Sequence, residues 1–332
     1  MKPRLAIALL TALILALASS CRPGSDRIII IAADDGWDSN KFHNALAKLI
    51  IDNAFEGYEL RFSTASAMMN WESMKSNDID LHLEQWIDTI PTFHDDVRNG
   101  YIIKIGVVVE DSRQGIYVPR FVIEGDPSRG IPPMTPTLRR IEDLKNYSHI
   151  FTDIESPVRG RFYGSIPGWT ADAALHRRFI YLGLDNYFNY IRLGSEAALF
   201  ASLVAAYHLG QPWVGYSWEP SWIVGQLDLV MLEDIPYETE AFAEGRTGFS
   251  TQELLILSSR RFPERAPQIH EFLKRFRTGG ALLSEALAHL HETRASHEAA
   301  AIWFLRRHDH LIDEWLPPEN AQKLRDYLAR RR

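Results

Sequence analysis

Hydrophobic and polar positions along the chain follow two alternating periods. Residues 27–33 (RIIIIAA) are a nearly unbroken β-branched run, the pattern of a strand covered on both faces. Residues 39–55 then carry apolar side chains at helical spacing, and Gly57 ends the stretch. Residues 58–62 predict a second strand, 68–74 a short helix and 101–109 another buried strand. A second set follows the Gly/Pro-rich loop 125–137. It predicts a strand at 150–152, a helix at 171–182, a strand at 190–193, a helix from N-cap Ser195 to a stop at Gly210, and a strand at 213–216. Beyond residue 250 the pattern predicts helices over 251–259, 266–276, 284–291, 297–307 and 319–331. Two sets of alternating strands and helices predict an α/β fold of two lobes with a cleft between them.

The first residues follow a different logic. Lys2 and Arg4 precede an apolar stretch of 14 residues, Leu5 to Ala18, which is short for a membrane span. Leu17-Ala18-Ser19-Ser20-Cys21 follows and resembles the lipobox of bacterial lipoproteins, with Ala18 where leucine is usual. Residues 1–20 are therefore expected to be a signal peptide, Cys21 the acylated residue, and 21–26 a tether to the membrane. An ordinary secretory signal with a chance cysteine is the alternative.

Composition narrows the functional class. One cysteine excludes a disulfide framework and a thiolate-built zinc site, and no cofactor or metal is expected. A formal net charge of −7 argues against nucleic acid as a partner. The spacing of His289/His291 and His308/His310 points paired side chains to different helix faces, which suits solvated histidines better than metal ligation. His82 and His94 flank Trp86, where hydrogen bonding around that ring is expected.

Nine tryptophans are the unusual feature. Trp71, Trp303 and Trp315 lie on helical patterns where core packing explains them. The other six fall near predicted strand ends or in turns, where open α/β sheets bind ligands. Four stretches stand out: Asp35 to Ser39 around Trp37, Asp80 to Trp86, Gly164 to Asp172 around Trp169, and Tyr216 to Trp222 around Trp218. Aromatic faces converging from separate loops suit a quaternary ammonium, at roughly 0.5–2 kcal/mol per ring. The turn at Pro167-Gly168-Trp169 opens a helix whose N-terminus suits a carboxylate.

These motifs, in order, resemble the glycine betaine/choline/proline-type substrate-binding proteins of ABC transporters, over almost the whole chain after residue 26. Gly36-Trp37-Asp38-Ser39 is similar to the family's first loop, and Met69-Asn70-Trp71-Glu72-Ser73-Met74 with Asp78-Ile79-Asp80 to its "WES…G-x-D" segment. Glu84-Gln85-Trp86 is similar to its "E-x-W", Pro167-Gly168-Trp169 to its "N-P-G-W-G-C" loop, and Trp218-Glu219-Pro220-Ser221-Trp222 to its "W-x-P-H-W". The resemblance implies a type II periplasmic binding protein fold, with lobe 1 formed by 27–118 and 217–332 and lobe 2 by 119–216. It also implies an extracytoplasmic, lipid-anchored protein that serves an ABC permease in quaternary ammonium uptake. Carried over by position, Trp86, Trp169 and Trp218 would form the cage, with Tyr216 and Tyr117 as further rings. Trp37 and Asp38 would serve as the first-loop pair, and the Thr170 and Ala171 N–H groups would hold a carboxylate.

The chain departs from the pattern at Ser221, where a histidine is common, and at Thr170-Ala171, which replace Gly-Cys. Glu219 and the first-loop acids Asp34, Asp35 and Asp38 hint at a purely cationic ligand such as choline, which stands beside a zwitterion such as glycine betaine as the expected ligand. Two readings of another class stand beside binding. A cleft enzyme would recruit Glu84 and Asp80, although both lie on one extended segment and no nucleophile elbow, P-loop or His-Glu-x-x-His accompanies them. A structural envelope lipoprotein would bury the aromatic residues as core.

Overall fold

The computed structural model describes residues 27–331. The expected signal peptide, Cys21 and the tether lie outside the described residues. No described helix is long and apolar enough to cross a membrane.

A ten-stranded mixed sheet organises the molecule. Its first half is built by β1 (Ile28–Asp34), β2 (Tyr58–Thr64), β3 (Leu81–Gln85) and the start of β4 (Ile102–Pro119). β1 lies between β2 and β3 and is parallel to both, as an α/β unit requires. The helices here are α1 (Asp38–Ala54), α2 (Ala67–Ser76) and α3 (Phe93–Arg98). α1 is covered on two sides: its Asn44 amide donates to the Ala33 carbonyl of β1 at 2.9 Å, and Phe42 packs on Phe304 from the C-terminal region. Trp71 of α2 is 1% exposed, in keeping with its expected core role.

β4 carries the chain across the molecule. Its residues 102–112 pair with one half of the sheet and 113–119 with the other. After α4 (Arg120–Glu124), the second half contains β5 (Thr152–Asp153), β6 (Ser156–Tyr163), α5 (Thr170–Tyr181) and β7 (Phe188–Ile191). α6 (Glu196–Leu209) follows: the Ser195 hydroxyl caps it by accepting from the Ala198 N–H at 3.2 Å, and Gly210 closes it. β8 (Gly215–Glu219) is antiparallel to β4 and parallel to β6.

The chain then runs through α7 (Trp222–Gln226), β9 (Leu229–Met231) and α8 (Thr239–Ala243). β9 pairs with residues 117–119, and Arg178 of α5 binds the carbonyls of Gly245 and Arg246 and the Asp234 carboxylate. This return stretch therefore packs against the second half of the sheet.

The expected helix at 251–259 is instead β10 (Gln252–Ser259), antiparallel between β3 and β4. Its run Leu254-Leu255-Ile256-Leu257 is buried throughout, and periodicity cannot separate such a run from a buried helix. β6 carried no strand signal, because SPVRGRFY mixes charge, proline and glycine. From α9 (Phe262–Arg265) and α10 (Pro267–Leu273) the chain proceeds through α11 (Gly279–Thr293), α12 (His297–Arg307), α13 (His310–Trp315) and α14 (Pro318–Arg330), which pack around α1 and the first half. Of the paired histidines, His291 and His310 are exposed, as expected, and His289 and His308 are half-buried. His289 stacks on Trp303 at 3.9 Å between ring centroids and His291 on Trp222 at 3.5 Å, so aromatic surface holds both.

Candidate functional site

The four aromatic stretches meet where the two halves of the sheet face each other. After β1, the chain turns sharply because Gly36 takes φ +101, a left-handed conformation that L side chains resist. The Asp34 carboxylate holds this turn by accepting from the Gly36 N–H at 2.9 Å. Trp37 follows, and its indole N–H donates to the fully buried Glu84 carboxyl at 2.7 Å. Glu84 also accepts from the Ser39 hydroxyl at 2.7 Å, and His43 Nδ1 lies 2.6 Å away. Trp37 is thus fixed in orientation from behind.

Trp86 follows the end of β3, with Thr89 three residues on. From the other half, Gly168 at φ +95 turns the chain into α5 and swings Trp169 across the cleft. The Trp169 indole N–H donates to the Asp35 carbonyl at 3.0 Å, and Thr170 Oγ1 meets Thr89 Oγ1 at 2.6 Å. Tyr216 and Trp218, two apart on β8, share one face. The Tyr216 hydroxyl donates to Gln114 of β4 at 2.6 Å, and the Gln114 amide donates to Asp88 at 3.3 Å. Burial raises the Tyr216 hydroxyl well above its ordinary range, with Asp88 adding to it, so the group is a neutral donor.

The rings form walls at right angles. Trp169 meets Trp37 at 5.4 Å and 81°, and Trp218 at 5.2 Å and 81°. Tyr216 tilts at 32° to Trp218, and Phe200 stacks behind Trp218 at 4.9 Å. With Trp86, Thr89, Gln114, Thr170 and Ala171, they bound a narrow, partly open cavity of about 30 Å³. No ionisable acid, lysine, arginine or histidine lines it. The first turn of α5 does, and the Thr170 and Ala171 N–H groups there have no intrahelical acceptor by position, nor any side-chain cap.

Seven of the nine expected residues therefore surround one pocket: Trp37, Trp86, Trp169, Thr170, Ala171, Tyr216 and Trp218. Tyr117 does not. It has the opposite strand parity to Gln114, is 1% exposed, and its hydroxyl donates to Glu219 at 3.0 Å. Asp38 does not either: its N–H donates to Glu196 and its carboxylate lies 3.4 Å from His297. Thr89 and Gln114 were missed. Gln114 offered one faint signal, an amide just ahead of the apolar end of a strand.

The acids expected near the cage are all engaged elsewhere. Glu219 pairs with Arg113 at 2.9 Å on the far face of β8. Asp35 points inward, accepting from Asn70 at 2.6 Å with His82 Nε2 at 3.0 Å. Ser221 donates to the Trp218 carbonyl at 2.7 Å, closing the turn after β8. His82 lies in this buried network, whereas His94 is exposed on α3. The Glu84/Asp80 pair separates too: Glu84 binds Trp37, while Asp80 accepts from the Ile31 N–H at 2.8 Å and from Arg265.

Known proteins share the sequence pattern and the fold of this chain. The trimethylamine N-oxide-binding protein of Pelagibacter ubique (strain HTCC1062) is 23% identical over 306 residues, covering 89% of this chain and 94% of that protein. The glycine betaine-binding periplasmic protein OusX of Dickeya dadantii (strain 3937) is 21% identical over 300 residues, covering 82% and 85%. A choline-binding protein of an ABC transporter, solved with choline, superposes with a TM-score of 0.73 at 16% identity, covering 90% and 98%. The family described as the substrate binding domain of ABC-type glycine betaine transport systems matches residues 27–307. The chain belongs to that family, whose members capture a solute for an importer and are not enzymes.

Proposed function

We propose that the pocket captures a net-neutral methylated ammonium compound, glycine betaine in kind, and hands it to the permease of an ABC importer. One observation carries this choice: the aromatic box has no charged lining, and the N-terminus of a helix opens into it. A trimethylammonium group has no hydrogen-bond donor, so aromatic faces suit it, at roughly 0.5–2 kcal/mol each. Four or five such faces supply much of the ~8 kcal/mol behind micromolar affinity. The carboxylate then satisfies the first N–H groups of α5, where the helix dipole adds about 0.3–1 kcal/mol.

Choline lacks that anion. It would leave the α5 N–H groups without a charged acceptor and bring an uncompensated cation into a site without acids. Trimethylamine N-oxide, named for one relative, shares the dipolar character in a smaller volume. Calorimetric titration of the full-length protein with glycine betaine, trimethylamine N-oxide and choline tests the assignment. Micromolar binding of glycine betaine, with choline roughly tenfold weaker or worse, is the expected order. Choline binding tighter than both dipolar compounds would overturn it.

Closure of two lobes on the ligand is part of the proposal. β4 serves as one crossover, and we place the other near residues 249–251, because the stretch 228–248 packs on the second half. Against the lobes expected from sequence, that moves this stretch to lobe 2. We also assign Cys21 as a lipid anchor holding the body on the outer face of a membrane. Changing Cys21 to serine is expected to shift the protein from the membrane to the soluble fraction; unchanged fractionation would remove the anchor.

A further inference from the structure

α1 starts without a cap of its own: Trp37 precedes it, and no side chain in the preceding turn accepts from its free N–H groups. The acceptor comes from across the cleft. Glu196, in the first turn of α6, accepts from the Asp38 N–H at 2.8 Å, and only 7% of Glu196 is exposed. A side chain of one half thus caps a helix of the other, and any opening of the cleft breaks that contact.

The surroundings of Glu196 decide its charge. Asp38 and Lys41 face it from α1, and Glu84 from β3. His297 of α12 lies 3.4 Å from the Asp38 carboxylate, and His291 of α11 is within electrostatic reach of the same group. His297 thus sits against Asp38, while His291 stacks on Trp222 and acts on Asp38 from farther off. Burial and the two acids disfavour the anion of this carboxyl, whereas Lys41, its place in a first turn and the Asp38 N–H favour it.

We infer that Glu196 is a positioning residue that latches the closed cleft as a protonated carboxyl, so that ligand capture takes up a proton. A neutral carboxyl still accepts the Asp38 N–H through its carbonyl oxygen, so the cap and the proton coexist. Burial and then Asp38 push the closed-state carboxyl from about 4.5 up to about 8, whereas the open cleft returns it to water. The raised value belongs to the closed state. Closure is therefore fully favoured below about 4.5, and the advantage is lost as pH rises through about 8.

The inference rests on the proposed ligand, and the test separates the two. The full-length protein in detergent is titrated with glycine betaine at pH 6, 7 and 8, in buffers of different ionisation enthalpy. The natural protein is expected to lose roughly tenfold or more in affinity from pH 6 to pH 8, and to take up close to one proton per ligand at pH 7. Glu196→Gln is expected to bind alike across the range and take up none. Equal affinity at both ends in the natural protein, or the same proton uptake in Glu196→Gln, would overturn the latch and leave the ligand standing. No binding at any pH overturns the ligand and the latch with it.

Discussion

Trp169→Ala is expected to weaken glycine betaine binding by about 100-fold or more, which corresponds to about 2.7 kcal/mol. Three losses combine at this residue. Its face leaves the box, where it stands perpendicular to both Trp37 and Trp218. Its apolar area no longer excludes water from the ammonium. Its indole N–H no longer reaches the Asp35 carbonyl across the cleft, so closure loses a hydrogen bond worth about 0.5–1.5 kcal/mol. No other cage ring makes all three contributions, because Trp37 is held from behind by its own half and Trp218 is backed by Phe200. Trp303→Ala is the matched control. That ring stacks on His289 away from the pocket, and its loss is expected to leave the affinity within about twofold. Titration of both variants decides the matter, and a Trp169→Ala protein within about fivefold of the natural one would remove this ring from the cage.

The site was more legible than the sheet, for a physical reason. A binding loop after a strand carries its own marks: a glycine for the turn at Gly36 or Gly168, then a large ring that no turn needs. Such marks are local, and the sequence displays them in order. Strand identity is less local. The run Leu254 to Leu257 is equally apolar in a buried strand and in a buried helix, and only the neighbours β3 and β4 decide between them. Charge was legible in kind and misleading in place. Glu219, Asp34, Asp35 and Asp38 hint in sequence at a cationic ligand, but strand parity turns Glu219 to the far face, and the turn at Gly36 folds the other three onto protein partners. With those acids engaged elsewhere, they no longer argue for a cationic ligand, and the proposed glycine betaine assignment rests on the helix N-terminus.

The largest stability effect is expected from Glu84→Ala. Glu84 is fully buried and is the shared acceptor at the centre of the first half: Trp37 Nε1 and Ser39 Oγ donate to it at 2.7 Å each, and His43 Nδ1 lies at 2.6 Å. His43 in turn meets Thr278 at 2.8 Å, so the network ties β3 to α1 and to the loop before α11. Alanine removes every acceptor at once and strands buried donors. Removing one member of a buried charged network costs about 3–5 kcal/mol, mostly as the desolvation of what it leaves behind. At about 2–4 °C per kcal/mol for a chain of this size class, thermal unfolding is expected some 10 °C lower. Glu84→Gln keeps one acceptor oxygen but points an amide donor at other donors, so it should fall between. The same change loosens Trp37, the wall that Glu84 orients, and glycine betaine affinity is expected to drop even at temperatures where the variant is fully folded. An unfolding midpoint within about 2 °C of the natural protein would show that water replaces the carboxyl without cost. A lowered midpoint with unchanged affinity would instead make Glu84 a support of the core alone, and Trp37 would need another reason for its orientation.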